Sequence, residues 1–152
     1  MNVEEYLNKI GGKINAPTFA YLTLYGRMPN PPISGREISH KTKKINGIDI
    51  DIHIPTDVIK SLNRISDIET RSSCEGQDDR HPTFLIFRLM NRDEKVSKIF
   101  VQKMKKMKKI SCAYDIGQGG LPRICITWST WYGNDGFEDW WKKLPFKITK
   151  CL

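Results

Sequence analysis

The sequence predicts an α+β fold: a two-layer split βαβ (ferredoxin-like) arrangement with a mainly antiparallel sheet, an added N-terminal strand and an added C-terminal helix. Three observations predict it. Ile48-Asp49-Ile50-Asp51-Ile52-His53-Ile54 alternates strictly between isoleucine and a polar residue, the period-two pattern of a half-buried strand. Two sets of apolar residues at three- and four-residue steps, Val58-Ile59-Leu62-Ile65 and Val96-Ile99-Phe100-Met104-Met107, mark amphipathic helices. Short runs rich in β-branched and aromatic residues fall between and after them, bounded by polar or glycine-containing loops. From residue 48 the elements therefore read β-α-β-β-α-β-β, and right-handed crossovers place both helices on one sheet face. At 152 residues one domain spanning 1–152 is expected, long enough to bury a proper core.

Before residue 48, Val3, Tyr6, Leu7 and Ile10 share one helical face that Gly11-Gly12 ends. The run Thr-Phe-Ala-Tyr-Leu-Thr-Leu-Tyr at 18–25 is predicted as the added strand. Residues 26–47 form a basic, proline-containing loop, a candidate mobile segment. After the alternating strand, Pro55-Thr56-Asp57 opens a helix with Thr56 or Asp57 as its cap. Strands over 68–74 and 83–90 flank a polar loop at 75–82. Asp93-Glu94 begins a long helix running to about Lys109. Strands over 111–116 and 123–131 are joined by Gly117-Gln118-Gly119-Gly120, which lacks the strand–loop–helix context of a dinucleotide or P-loop fingerprint. A last helix spans 137–144. Trp140 and Trp141 cannot share one of its faces, which points one of them to the surface or to another element.

Composition narrows the classes. No apolar run approaches the roughly 20 residues of a membrane span, and the acidic start Met1-Asn2-Val3-Glu4-Glu5 lacks a secretory apolar region. Cys74, Cys112, Cys125 and Cys151 are scattered, with no Cys-x-x-Cys pair, and His40, His53 and His81 supply no ligand pair either. The expectation is a cytoplasmic chain with reduced cysteines and no metal.

The net charge is +8 at pH 7. Much of it falls between residues 93 and 109, where seven lysines face two acids. Acids in the first turn and lysines in the last complement the helix dipole, so a solvated helix face is the plain reading. Dipole complementarity does not require Lys103, Lys105, Lys106, Lys108 and Lys109 to crowd together, however. A polyanion would relieve their mutual repulsion and release counterions, which makes these five the nucleic-acid-binding candidates.

The second candidate region is Arg71-Ser72-Ser73-Cys74-Glu75-Gly76, followed by Arg80 and His81. Small hydroxyl residues and a glycine at a strand-to-loop junction let a ligand approach backbone N–H groups, with arginines as phosphate or carboxylate donors. The ligand-binding candidates are Arg71, Ser72, Ser73, Cys74, Gly76, His81 and Arg123. A Cys74–His81 nucleophile and base oriented by Asp78 or Asp79, and a plain hairpin loop, are the alternatives.

Ser72-Ser73-Cys74-Glu75-Gly76 resembles the Ser-Ser-Cys-Ser-Gly-Arg motif of the tRNA wybutosine-synthesising methyltransferase-like family, and compatible elements follow it as far as Thr130. Glu75 and Gln77 depart from that pattern. Ser-Cys-Glu-Gly is also similar to a string in small phage proteins. The methyltransferase resemblance implies S-adenosylmethionine as cofactor and a site lined by Ser72, Ser73, Cys74 and Gly76. The expected function is an RNA-preferring nucleic-acid or nucleotide-phosphate binding domain. A tRNA-modifying methyltransferase-like enzyme and a phage-encoded interaction module are the alternatives.

Overall fold

The computed structural model describes residues 14–152 apart from Gly117, together with Glu5, Leu7 and Lys9, which are helical. The other positions of the helix expected over 3–10, its Gly11-Gly12 end and Gly117 of the glycine turn lie outside the described residues. The elements run α1 (Ala16–Tyr25), β1 (Thr42–Ile45), β2 (Ile48–Asp51), α2 (Thr56–Asn63), β3 (Ile68–Cys74), β4 (Phe84–Leu89), α3 (Glu94–Met104), β5 (Ser111–Ile116), a 3-10 turn (Gln118–Gly120), β6 (Pro122–Thr127) and α4 (Phe137–Cys151). The fold is α+β. A four-stranded antiparallel sheet runs in the order β3-β4-β6-β5, and β1 and β2 form a separate antiparallel hairpin.

Strand order differs from the split arrangement in one respect. That arrangement would put the strand at residue 48 in the middle of the sheet, a place held here by β6, between β4 and β5. The slot is covered on both faces, which the run Ile124-Cys125-Ile126 suits. Asp49 and Asp51 would bury carboxylates there, so β2 stays at the rim, paired among the described residues with β1 alone. Its alternation consequently does not bury all four isoleucines: Ile54 is buried, but Ile48 is 55 % exposed and Ile52 40 % exposed.

Helices cover both sheet faces, so two layers become three. Leu85, Phe87, Leu89, Cys112, Tyr114, Ile124 and Ile126 pack with α2, α3 and α4 in the larger core. Phe84, Ile86, Ala113 and Cys125 pack with Leu7 and α1 in the smaller one. The strand predicted over 18–25 does not form: this run is helical. Asn15 caps it by accepting from the Thr18 N–H at 2.9 Å, Pro17 sits in the first turn, and Gly26 closes it at φ 72°. These start and stop signals outweigh the β propensity of the aromatic and threonine residues between them.

Both later helices differ in length from the expectation. α3 stops at Met104 rather than near Lys109, and the chain tightens through i→i+3 bonds, Lys106 N–H to Lys103 and Met107 N–H to Met104, to Lys109 at φ 58°. Like charges crowd that last turn and β5 must start at Ser111, so reversal wins. α4 instead continues past Pro145 to Cys151, because Ile148 and Cys151 are buried in the larger core. Trp140 and Trp141 are both buried, edge to face at 5.3 Å: one helix presents them to different neighbours.

Candidate functional site

The motif strand divides its residues. Ser73 pairs with Leu85 and faces the larger core, whereas Cys74 pairs with Phe84 and packs against the smaller one. Arg71 falls at a β-bulge between Thr70 and Ser72 and pairs with Glu69 at 3.0 Å. Arg71, Ser72 and Ser73 line a cavity of about 200 Å³, closed by Ile45, Ile48 and Ile50 of the hairpin and by Ile59. Arg123 is elsewhere. It forks onto the fully buried Asp115 at 2.7 and 2.9 Å and lies 4.7 Å over the Phe19 ring, where it anchors α1.

His81 is buried, and carboxylates hold both of its ring nitrogens: Asp78 Oδ1 lies 2.8 Å from Nδ1 and Glu37 Oε1 lies 2.9 Å from Nε2. That arrangement leaves no ring nitrogen for Cys74, so the nucleophile–base pairing of these two is corrected. Arg80 donates to Glu37 at 2.9 Å and to the Pro31 carbonyl at 2.7 Å. The proline-containing segment at 26–41 is therefore latched to the 75–82 loop. The Arg80 hydrogen bond holds the Glu37 carboxyl down at about 2, against an ordinary 4.5. A depressed carboxyl stabilises above its unfolded value and loses that contribution as acid titrates it. The protection of amides across 26–41, the intrinsic exchange rate over the observed rate at each pH, should thus fall as pH drops from about 4.5 towards about 2, and Glu37→Gln should show low protection at every pH. An acid profile unchanged by Glu37→Gln would contradict the latch.

Where β2 and β3 end, a polar cluster forms that the motif alone does not reveal. A ring nitrogen of His40, a carboxylate oxygen of Asp51 and Cys74 Sγ all lie within 4.8 Å of one another. Glu75 is only 4 % exposed and organises them. Its N–H donates to Asp51 Oδ2 at 2.8 Å, and its carboxylate lies 2.9 Å from His53 Nδ1 and 3.8 Å from His40 Nδ1. Tyr132 stacks on His53 at 3.6 Å and donates its N–H to the Glu75 carbonyl at 2.9 Å. Gly76 donates its N–H to Cys74 Sγ at 3.4 Å. Burial pushes the Cys74 thiol up to about 12 and the Asp51 carboxyl above its ordinary range. The sequence does not mark His40, Asp51, His53 and Glu75 as one site, because the segment 40–53 meets residues 74–75 only in the fold.

The lysine region is the second candidate. Lys103, Lys105, Lys106, Lys108 and Lys109 are all exposed, Lys103 on the last turn of α3 and the rest on the reversal that follows. This reversal packs on α4: Trp140 Nε1 donates to the Lys109 carbonyl at 2.8 Å and Lys147 Nζ to the Lys108 carbonyl at 2.9 Å. Burial lowers the Lys147 amine, and the neighbouring charges of Lys143 and Lys109 lower it further. Lys142 and Lys143 pair with Glu138 and Asp139. Among the described residues no ion pair engages Lys103, Lys106, Lys108 or Lys109. Lys150 lies 5.6 Å over the ring of Phe146, which is 68 % exposed. Beside Lys103 opens a cleft of about 330 Å³ lined by Leu89, Val96, Ile99, Phe100 and Leu152. No described helix is long and apolar enough to cross a membrane. Comparison of the chain with protein-family models, curated proteins and solved structures finds no match.

Proposed function

We propose that this chain binds single-stranded nucleic acid, RNA by preference, on the face built by the α3–β5 reversal and α4. One observation carries the reading: lysines from two separate elements converge there, and among the described residues Lys103, Lys106, Lys108 and Lys109 make no ion pair, Asp139 being the acid whose charge reaches Lys109 and Lys147 while it pairs with Lys143. Repulsion within such a group disfavours the bare surface, and a phosphate backbone removes it while releasing counterions. The exposed Phe146 ring offers a stacking platform, and the cleft beside Lys103 has apolar walls and room for a base. The four cysteines are free, in keeping with a cytoplasmic setting.

Fluorescence anisotropy with a short unstructured RNA tests this. Affinity should fall linearly on a log–log salt plot, by roughly 0.7 per phosphate contact for a single strand. Changing Lys106, Lys108, Lys109 and Lys150 to Gln should flatten the slope by up to about 3 on the same scale. A salt-independent affinity, or a slope unchanged in that variant, would sink the reading.

A further inference from the structure

Three unlike donors, a thiol, an imidazole and a carboxylate, converge at the junction of β2 and β3, on other elements than the lysine face. We infer that His40, Asp51 and Cys74 form a zinc site with three protein donors and a fourth position for water. The geometry comes first. A tetrahedral zinc with bonds of about 2.0–2.3 Å holds its donors roughly 3.3–3.8 Å apart, and the three atoms here already lie within 4.8 Å of one another. Side-chain rotation closes that difference.

The unpaired nitrogen comes second. Among the described residues, His40 Nε2 is a buried side-chain nitrogen with no hydrogen-bond partner, a costly state for a polar atom. Coordination satisfies it. The opposite nitrogen, Nδ1, lies 3.8 Å from the Glu75 carboxylate, just beyond hydrogen-bond length, and the ring rotation that brings a nitrogen onto the metal would close that gap to the carboxylate–histidine–metal order.

The surrounding hydrogen bonds come third. The Glu75 N–H engages one oxygen of Asp51, the Asp51 carboxylate also meets the Cys74 thiol, whose proton a metal would replace between the two, and the Gly76 N–H points at Cys74 Sγ. Backbone donors thereby orient two of the three ligands without using their coordinating lone pairs. A thiolate donor disfavours calcium and magnesium, and the mixed sulfur, nitrogen and oxygen set suits zinc. On binding, Cys74 loses its proton to solvent and the Zn–S bond forms in its place.

The test uses the full chain, stripped with a chelator, dialysed, and titrated with Co²⁺ and then Zn²⁺. The expected result is about one equivalent of Co²⁺ per chain, with the d–d bands of a tetrahedral site, a sulfur-to-metal charge-transfer band, and displacement by Zn²⁺. Cys74→Ser should abolish the charge-transfer band, while Cys151→Ser keeps it. Glu75→Gln should keep the band but weaken zinc binding by roughly 10–100-fold, as loss of an orienting partner does. The wild-type spectrum is decisive even if Cys74→Ser fails to fold. Absence of a stoichiometric cobalt complex, a complex without the sulfur band, or a band that survives Cys74→Ser would overturn the site.

Discussion

Trp141→Ala should lower the unfolding free energy by about 3–5 kcal/mol, the usual cost of truncating a buried aromatic. Trp141 is fully buried, and it is also wired into the sheet: its Nε1 donates to Thr83 Oγ1 at 2.9 Å. Thr83 in turn donates its hydroxyl to the Cys74 carbonyl at 2.6 Å and its N–H to the Thr130 carbonyl at 2.8 Å, and its own carbonyl accepts from the Thr127 hydroxyl at 2.6 Å. One indole thus ties α4 to the ends of β3 and β6. Trp141→Phe keeps most of the volume and loses the donor, so it should cost only about 1–2 kcal/mol. Urea unfolding of the two variants separates packing from the hydrogen bond, and equal losses would contradict this account.

Gly76→Ala should cost about 2–5 kcal/mol, combining left-handed backbone strain with overpacking. Gly76 has φ +78°, and a Cβ there would stand 2.7 Å from the Thr83 nitrogen, 2.8 Å from the His81 oxygen and 2.9 Å from Trp131 Cβ. The two nearest atoms belong to the backbone and cannot swing aside. Gly35 is the natural control, since an added Cβ there meets nothing within 4 Å, and Gly35→Ala should be nearly silent. Thermal unfolding checks the pair. A Gly76→Ala midpoint close to that of Gly35→Ala would show that the junction yields.

Much of the architecture was legible because local pattern and tertiary role agree. The strand over 68–74 forms with the predicted bounds, and Val58, Ile59 and Leu62 bury as their spacing requires. Where the two diverge, the reading failed for identifiable reasons. At 16–25 the threonines and aromatics speak for a strand, but Asn15, Pro17 and Gly26 frame a helix. In β2 the alternation is real, yet a strand with aspartates on one side and only a hairpin partner cannot enter a sheet buried on both faces.

The candidate sites follow the same logic. The lysines were visible as a run, but their placement against Lys147 and Lys150 depends on α4 continuing past Pro145, where a proline argues for an end. Ser72-Ser73-Cys74 is one unit in the sequence, yet successive strand residues face opposite sides, so Ser73 and Cys74 enter different environments. Cys74 meets its neighbours His40 and Asp51 only through the hairpin's return to the end of β3, which no spacing rule encodes.

Lysine acetylation footprinting by mass spectrometry, with and without single-stranded RNA, tests the central claim most directly because it reads every ammonium group at once. Lys103, Lys106, Lys108, Lys109 and Lys150 should lose reactivity together when RNA is present, while the exposed Lys44 of the hairpin and Lys60 of α2 keep theirs. Protection that falls on Lys44 and Lys60 instead, or spreads evenly over all of them, would contradict it.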